Sequence, residues 1–265
     1  VNRIILATDG DFNVGINNPD ALKGYVERKR EKGIYLSVLG FGRGNYNDHL
    51  MQELAQNGNG IAAYIDTLSE AQKVLVHEAT SSLFPIANDV KIQLEFNPSV
   101  VSEYRLLGYE TRALKREDFN NDKVDAGDIG AGHTVTAIYE IVLANAANQQ
   151  VDALRYGADK TQPASAAEYG FLKLRYKLPG ETQSRLIEQP ITQAAKTLSP
   201  SMQKEIGFAT AVAGFAELLK GGQYQGDWSY QQALDLAQAN KGADLYGYRT
   251  EFVQLVRKAK MAKAM

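Results

Sequence analysis

The chain has 265 residues, with 29 Lys and Arg against 31 Asp and Glu, so its formal net charge is -2 at pH 7. This balance lacks the strong basic excess that is typical of nucleic-acid-binding proteins. The absence of cysteine excludes disulfides and thiolate metal sites, and no apolar run approaches the ~18 residues that a membrane-spanning helix needs. The sequence therefore predicts no nucleic-acid partner and no membrane span, and without a span we reject channel activity.

The first third of the chain, residues 1–85, alternates short apolar runs with helix-like segments. The run 4–8 predicts a strand that is buried on both faces. The run 34–40 predicts a second buried strand, and the run 62–65 predicts a third strand. Helices are predicted from Pro19 to about Gly33, over 47–56 and over 69–82, with Asn18 and Ser69 as the caps of the first and last. Strands that alternate with helices predict an α/β fold around a parallel sheet.

The pattern changes near Pro85. Strict alternation of apolar and polar residues in Val90–Phe96 predicts a half-buried strand of an antiparallel sheet, and further strands are predicted over 101–109, 133–143 and 171–178. Turn-rich segments separate these strands, at 118–132 and 157–167. Residues 86–190 are therefore predicted to form an antiparallel, β-sandwich-like domain.

From Pro200 onward the spacing of apolar residues is helical. Three helices are predicted, over 200–220, 231–239 and 245–259, with Gly221 at the end of the first. Residues 191–265 thus form a predicted helical subdomain, with the β-rich domain as its candidate packing partner. The end of the chain, Arg257–Lys263, is basic.

One candidate site is Asp9, which directly follows the first predicted strand. Ligands of open parallel α/β sheets bind at the carboxyl ends of the strands, so we expect Asp9 at that edge, after a central strand. A carboxylate there can bind a hard cation. Because Asp-Gly is also common turn chemistry, a plain turn is the alternative.

A second candidate is the acidic segment 118–128. Asp118, Asn120 and Asp122 match the first, third and fifth ligand positions of a calcium-binding EF-hand loop. Lys123 stands where the sharp turn needs glycine, and Ile129 stands where the bidentate glutamate belongs. A solvated acidic turn is therefore the favoured interpretation, with a weak Ca²⁺ site as the alternative.

The sequence predicts no enzyme active site. The three histidines, His49, His77 and His133, are scattered, and none lies in a known zinc-binding or nucleophile motif.

Several separated blocks resemble von Willebrand factor A (VWA) domain proteins, and most closely the bacterial YfbK-type members with their C-terminal domain of unknown function. The blocks occur in the family's order: Ile4–Asn13, Ile34–Gly42, Leu54–Gly60, Tyr64–Asp66, Val90–Pro98, Tyr104–Glu110 and Asp125–Val135. The resemblance implies that residues 1–85 are the C-terminal half of a Rossmann-like VWA domain. It also implies that the other half, or another chain, covers the exposed edge of the sheet.

In that family a metal-ion-dependent adhesion site takes an Asp-x-Ser-x-Ser motif from one loop, a Thr from a second and an Asp from a third. The resemblance assigns the third position to Asp9, and this chain has no Asp-x-Ser-x-Ser motif. It therefore implies a Mg²⁺ or Ca²⁺ site in the intact protein. No tightly bound ion is expected in this chain, because one carboxylate cannot supply a six-ligand oxygen shell.

The resemblance implies an adhesion-type module that binds an unidentified protein partner. It also implies a protein of the bacterial cell envelope, either periplasmic or an outer-membrane lipoprotein whose signal lies upstream of Val1. Two other functions stay open. One is a metal-dependent hydrolase in which Asp9 and a metal activate water; the other is a purely structural or regulatory scaffold.

Overall fold

The computed structural model describes residues 2–9, 18–42, 46–78, 84–110, 113–147, 149–151, 168–192, 198–222, 224 and 226–265. Its strands are β1 (Asn2–Thr8), β2 (Ile34–Phe41), β3 (Ala62–Ile65), β4 (Pro85–Phe96), β5 (Val101–Leu107), β6 (Gly127–Gly130), β7 (Ile138–Leu143), β8 (Glu168–Lys177) and β9 (Arg185–Thr192). Its helices are α1 (Pro19–Arg30), α2 (Asp48–Asn57), α3 (Leu68–Gln72), α4 (Pro200–Lys220), α5 (Tyr230–Asn240) and α6 (Tyr248–Ala264). None of these described helices has the length and hydropathy of a membrane span.

The first three strands form a parallel sheet in the order β1-β2-β3, as the alternation of strands and helices predicts. The expectation that Asp9 follows a central strand is wrong for the described sheet, because β2 is the middle strand and β1 lies at the edge. Ile4 and Ile5 are accordingly 55% and 53% exposed. An apolar run shows that a strand can be buried on both faces, but it does not show which neighbours the strand has.

The middle strand β2 is buried on both faces. Its successive residues Val38 and Leu39 point to opposite sides of the sheet, as strand geometry requires. Each belongs to a different apolar cluster, and the members of the two clusters are Val26, Val38, Met51, Leu54 and Ala55 on one side and Leu39, Ile65 and Val74 on the other. The first cluster covers β2 with α1 and α2.

The predicted start of the first helix is confirmed. The Asn18 side chain accepts a hydrogen bond from the Ala21 N–H at 3.0 Å, and Pro19 occupies the first turn. The predicted cap at Ser69 is wrong, because Thr67 caps α3 and the chain then enters a π-helical turn over Lys73–His77. Serine and threonine both cap helices, so the sequence does not decide between candidates two residues apart.

The β-rich region forms one sheet in the order β6-β4-β8-β9 and a second sheet of β5 and β7. The pairs β4–β6 and β5–β7 are antiparallel, as predicted. The sequence missed β6, which has four residues and lies inside a segment predicted as turns, and β9, which contains Pro190. Proline lacks the N–H that a strand ladder uses, and is tolerated in edge strands such as β9. The predicted turn at 157–167 lies outside the described residues.

The three predicted helices at the end of the chain are confirmed. Ser199 caps α4, and Gly221 ends it with a φ of 67°, a left-handed conformation that glycine adopts without strain. The helices share one apolar cluster, which consists of Ala211, Phe215, Leu218, Ala233, Leu234, Ala237, Val253 and Val256.

Close contacts group the chain into two compact units that are not continuous in sequence. Unit 1 comprises Val1–Gln93, Leu114–Thr134 and Lys173–Ile187, and unit 2 comprises Leu94–Ala113, Val135–Leu172 and Glu188–Met265. Residues of the β-rich region thus belong to both units. The sequence domains 1–85, 86–190 and 191–265 stay a prediction.

An ion cluster joins the β5–β7 pair to α4 within unit 2. Arg105 donates to Glu217 at 2.8 Å and to Glu140 at 2.7 Å, and Lys220 contacts Glu217 at 3.4 Å. Glu217 is only 9% exposed, and its hydrogen bond with Arg105 lowers the pKa of this carboxyl below its ordinary value. The buried carboxylate therefore depends on the two cations.

We expect Arg105→Gln to lower the free energy of unfolding of unit 2 by about 2 kcal/mol, because a buried carboxylate that loses its main partner keeps its desolvation cost. Since the folded pKa of Glu217 lies below the unfolded value, this contribution is present above pH ~4.5 and is lost as the pH falls below it. Urea titration followed by the fluorescence of Trp228, the only tryptophan, measures both effects.

Arg257→Gln is the matched control, because it removes the same charge from an exposed position of α6. Its effect should stay within about 0.5 kcal/mol. Equal effects of the two substitutions would show that the Arg105–Glu217 pair does not stabilise unit 2.

Candidate functional site

Asp9 directly follows β1 and lies exposed at the carboxyl edge of the parallel sheet. Gly42, which follows β2, lies beside it: a Cβ atom placed on Gly42 would be 3.9 Å from the Asp9 Cβ. The Tyr64 hydroxyl of β3 donates a hydrogen bond to the Gly42 carbonyl. Asp66 follows β3 and is also exposed, so two carboxylates stand at this edge with β2 between their strands.

This edge does not fit a divalent cation by itself. Mg²⁺ and Ca²⁺ take six or more oxygen ligands at short distances. Among the residues that the structure describes, no group of three or more His, Cys, Asp or Glu side chains is placed to hold a metal ion. Within the described part, Asp9 is thus a single candidate ligand, and residues 10–13 of the same sequence block lie outside that part.

The acidic segment around Asp118 surrounds cations that belong to the protein. Arg175 of β8 donates to Asn120 Oδ1 at 3.1 Å and to Asp122 Oδ1 at 3.3 Å. The Ser184 N–H donates to the other Asp122 oxygen at 3.4 Å, and hydrogen bonding to Ser184 lowers the pKa of Asp122. Two of the three proposed calcium ligands therefore bind a guanidinium group.

The third candidate ligand, Asp118, meets Lys91 through its backbone. The Lys91 ammonium donates to the Asp118 carbonyl at 3.2 Å and also to the Asn121 carbonyl. Lys91 is only 3% exposed, although it lies on β4 where alternation predicts a solvent-facing polar residue, and burial lowers its pKa. No pattern in the sequence predicts this burial, because a lysine in an alternating strand is almost always exposed.

A second acidic cluster, which the sequence missed, lies at the start of β6. It consists of Asp89, Asp125 and Asp128. The Asp89 N–H donates to Asp128 Oδ1 at 3.2 Å, and the Ala126 N–H donates to Asp89 Oδ1 at 3.2 Å. Asp89 has a φ of 51°, an uncommon value for a residue with a side chain. Backbone N–H groups therefore connect Asp89 of β4 with the segment 126–128.

Cations and amides of unit 1 surround this cluster. Arg30 at the end of α1 pairs with Asp125 at 2.9 Å, the Asn59 amide donates to Asp128 at 3.3 Å, and Lys177 pairs with Asp89 at 2.6 Å. Arg30 precedes β2 and Asn59 precedes β3, so these contacts are made at the amino edge of the parallel sheet. Asp9 stands at the opposite edge.

The turn that carries Asn59 can come this close to the sheet because glycines flank it. A Cβ atom on Gly60 would lie 1.8 Å from the Leu36 carbonyl oxygen of β2, so no other residue fits there without a shift of the backbone. Asn59 itself has a φ of 48°, and Arg3 of β1 donates to its carbonyl at 3.2 Å. The block Leu54–Gly60 thus positions the amide that binds Asp128.

Burial raises the pKa of two carboxyl groups in this cluster. Burial raises the pKa of Asp125 to about 6, against the opposing charge of Arg30, and the neighbouring carboxylates Asp89 and Asp128 raise it further. Burial also raises the pKa of Asp128. The Asp125 side chain keeps a third of its surface in contact with solvent, so this carboxyl exchanges protons with water directly.

We expect the Asp125 carboxyl to titrate near pH 6, and Arg30→Gln to raise that midpoint, because the arginine stabilises the ionised form. The folded pKa lies above the unfolded value. The contribution of Asp125 to stability is therefore complete below pH ~3.8 and is lost as the pH rises through about 6. Carbon-13 chemical shifts of the side-chain carboxyls measure the midpoint.

Arg28→Gln, which removes the same charge from an exposed position of α1, is the control and should leave the Asp125 midpoint unchanged. A midpoint below pH 4 for Asp125 would show that Arg30 outweighs burial.

Comparison with known proteins gives the family. A family model described as "Uncharacterized protein YfbK, C-terminal" matches residues 81–262. The curated "Uncharacterized protein YfbK" of Escherichia coli (strain K12) is 46% identical over 261 residues, which cover 98% of this chain and 44% of that protein. "Inter-alpha-trypsin inhibitor heavy chain H3" of Mesocricetus auratus is 29% identical over 146 residues, which cover 52% of this chain and 16% of that protein. The chain thus spans less than half the length of these relatives.

Two solved structures are similar over most of the chain. The ArnB paralog VWA2 from Sulfolobus acidocaldarius has a TM-score of 0.39 and 13% identity, over 94% of this chain and 58% of that one. The von Willebrand factor type A protein from Catenulispora acidiphila has a TM-score of 0.40 and 16% identity, over 97% of this chain and 57% of that one. Scores this low support no inference about function, whereas the sequence match does decide the family: the chain belongs to the YfbK family, as its separated sequence blocks predict.

Proposed function

We propose that this chain is a protein-interaction module. The observation that carries the proposal is the exposed Asp9 at the carboxyl edge of the parallel sheet, the edge where open α/β folds bind their ligands. The pairing of β1 with β2 runs from Asn2 to Thr8 and so continues up to the residue before Asp9. The partner is a protein with an acidic group, as the family resemblance implies.

We propose that partner binding depends on a metal ion in the intact protein, and that this chain by itself does not hold the ion. Asp9 would supply one ligand to Mg²⁺ or Ca²⁺, and residues outside this chain would supply the others. The proposal also includes a location in the bacterial cell envelope, as a periplasmic protein or an outer-membrane lipoprotein. The similarity to a protein of Escherichia coli supports a bacterial origin for this chain. The compartment is part of the proposal.

We also propose that another polypeptide segment, from the other VWA half that the resemblance implies or from another chain, covers the edge of β1 that pairs with no described strand. A strand at the edge of a sheet presents unpaired N–H and C=O groups and favours pairing with a further strand. Ile4 and Ile5 of β1 are more than half exposed, which supports such pairing because burial of both side chains would add to its stability.

The two other functions have less support. A hydrolase at Asp9 needs a complete metal shell and a general base. His49 lies on α2 with 80% of its side chain exposed, and its nearest carboxylate is that of Glu53, one helical turn away. A purely structural scaffold needs neither feature, and the experiments below separate it from an interaction module.

We expect no binding of Mg²⁺, Mn²⁺ or Ca²⁺ at micromolar concentration by this chain, because Asp9 lacks a shell and Asn120 and Asp122 already bind Arg175. Calorimetric titration measures this directly. Micromolar affinity that disappears in Asp9→Ala would restore the adhesion site to this chain. Ca²⁺ affinity that disappears in Asp122→Ala would move the metal site to the acidic segment.

The interaction function predicts contacts at the carboxyl edge of the sheet in cells. A photo-crosslinking phenylalanine analogue at Phe41, the exposed last residue of β2, should give defined crosslinked products in the full-length protein. Asp9→Ala should abolish these products, and so should a chelator, if a metal bridges the partner. Gel electrophoresis and mass spectrometry of the products identify the partner.

The matched control carries the analogue at Lys32, which is exposed in the turn before β2 at the amino edge. No Asp9-dependent product should form there. If Phe41 gives no product that depends on Asp9, the carboxyl edge is not a docking site and the scaffold function is favoured.

A further inference from the structure

The part of α6 from Phe252 onward carries a surface that the proposed function does not use. From Phe252 to Met265 the helix has four cations and no carboxylate, and every residue from Lys260 onward is exposed. The whole chain is slightly negative, with a net charge of -2, so this charge is local. A local cationic surface attracts an anionic partner that the rest of the molecule would repel.

Contacts with α5 fix the rotation of α6 about its axis. Val253 and Val256 are buried in the apolar cluster of the three helices. One turn later Lys260 donates to the side chain of Gln231, and the Lys263 ammonium lies 5.4 Å from the ring centre of Tyr230. These two lysines therefore point toward α5, and the opposite side of α6 faces solvent.

The solvent-facing side combines charge with apolar side chains. Arg257 and Lys258 are exposed, and no ion pair joins either of them to a described residue. Leu255, Met261 and Met265 are exposed by 52%, 69% and 106% of their reference areas. With 3.6 residues per turn, Lys258, Met261 and Met265 lie on one face of the helix. We call Leu255, Arg257, Lys258, Met261 and Met265 the α6 outer face.

We propose that the α6 outer face docks on a membrane surface that contains anionic phospholipids. Helices that lie in a membrane interface combine basic residues with apolar side chains that enter the boundary between headgroups and acyl chains. Each basic residue near an anionic surface adds an electrostatic attraction, and added salt weakens that attraction by screening. The methionine side chains are long and unbranched, so they adapt to a fluid surface rather than to one fixed shape. An acidic protein is the other class of anionic partner, and the experiment includes it.

Sedimentation with lipid vesicles tests the proposal on the chain as described here. Vesicles of phosphatidylcholine alone should leave the protein in solution, and vesicles with about 30% phosphatidylglycerol should sediment it at low salt. Binding should weaken strongly between about 0.05 M and about 0.5 M NaCl, because the Debye length shortens. Equal binding to both kinds of vesicle, or none to either, would overturn the proposal.

Two sets of variants connect binding to the helix. Arg257→Gln with Lys258→Gln should weaken vesicle binding by about twenty-fivefold, which is about fivefold for each cation. Met261→Ser should weaken it without any change in charge. The control, Arg28→Gln with Lys32→Gln, removes the same charge from exposed positions near the end of α1 and should leave binding unchanged.

Circular dichroism and Trp228 fluorescence of each variant establish that the three-helix cluster is intact. Equal loss in the control would show that net charge, and not the α6 outer face, decides binding. If the protein binds polyglutamate through Arg257 and Lys258 but does not bind the anionic vesicles, the partner is an acidic protein and the membrane proposal is wrong.

Discussion

The burial of β2 on both of its faces is the constraint on which unit 1 depends. A strand in the middle of a parallel sheet needs apolar cover on each side, because its side chains alternate between the two. Val38 receives that cover from α1 and α2, while Leu39 receives it from Ile65 and Val74. This arrangement fixes the direction of the neighbouring strands and so determines which residues stand at each edge of the sheet. The carboxyl edge carries Asp9 and Asp66, and the amino edge receives the acidic segment of the β-rich region.

The two edges differ in how their acidic groups are neutralised. At the amino edge Asp89 and Asp125 pair with Lys177 and Arg30, and burial raises the pKa of Asp125 to about 6. Carboxylates that already pair with the protein's own cations gain little from a metal ion, because the ion would have to displace those partners. Asp9 remains exposed at the other edge, which makes the carboxyl edge the better place for an external ligand. This difference separates the acidic residues that pair with cations of unit 1 from Asp9, the carboxylate that the proposed function uses.

A similar argument applies to the segment around Asp118. Its sequence resembles a calcium loop in the spacing of three ligands, and oxygen atoms of this segment accept hydrogen bonds from Lys91 and Arg175. The carbonyl oxygens of Asp118 and Asn121 give the buried ammonium group the hydrogen bonds that a buried polar group needs. The protein thus uses a lysine from β4 to close a turn between strands.

The sequence by itself determined the elements that depend on local pattern. The runs at β1, β2 and β3, the cap at Asn18, and the apolar spacing of α4, α5 and α6 all follow from contacts within a few residues. It also determined the family, through blocks that keep their order along the chain. The tertiary structure alone decided what each charged side chain meets. Lys91 is buried because the Asp118–Asn121 turn folds over it, and Asp125 meets Arg30 although 95 residues separate them. Such contacts depend on how distant segments pack, and alternation or spacing along one strand carries no information about the segment that covers it.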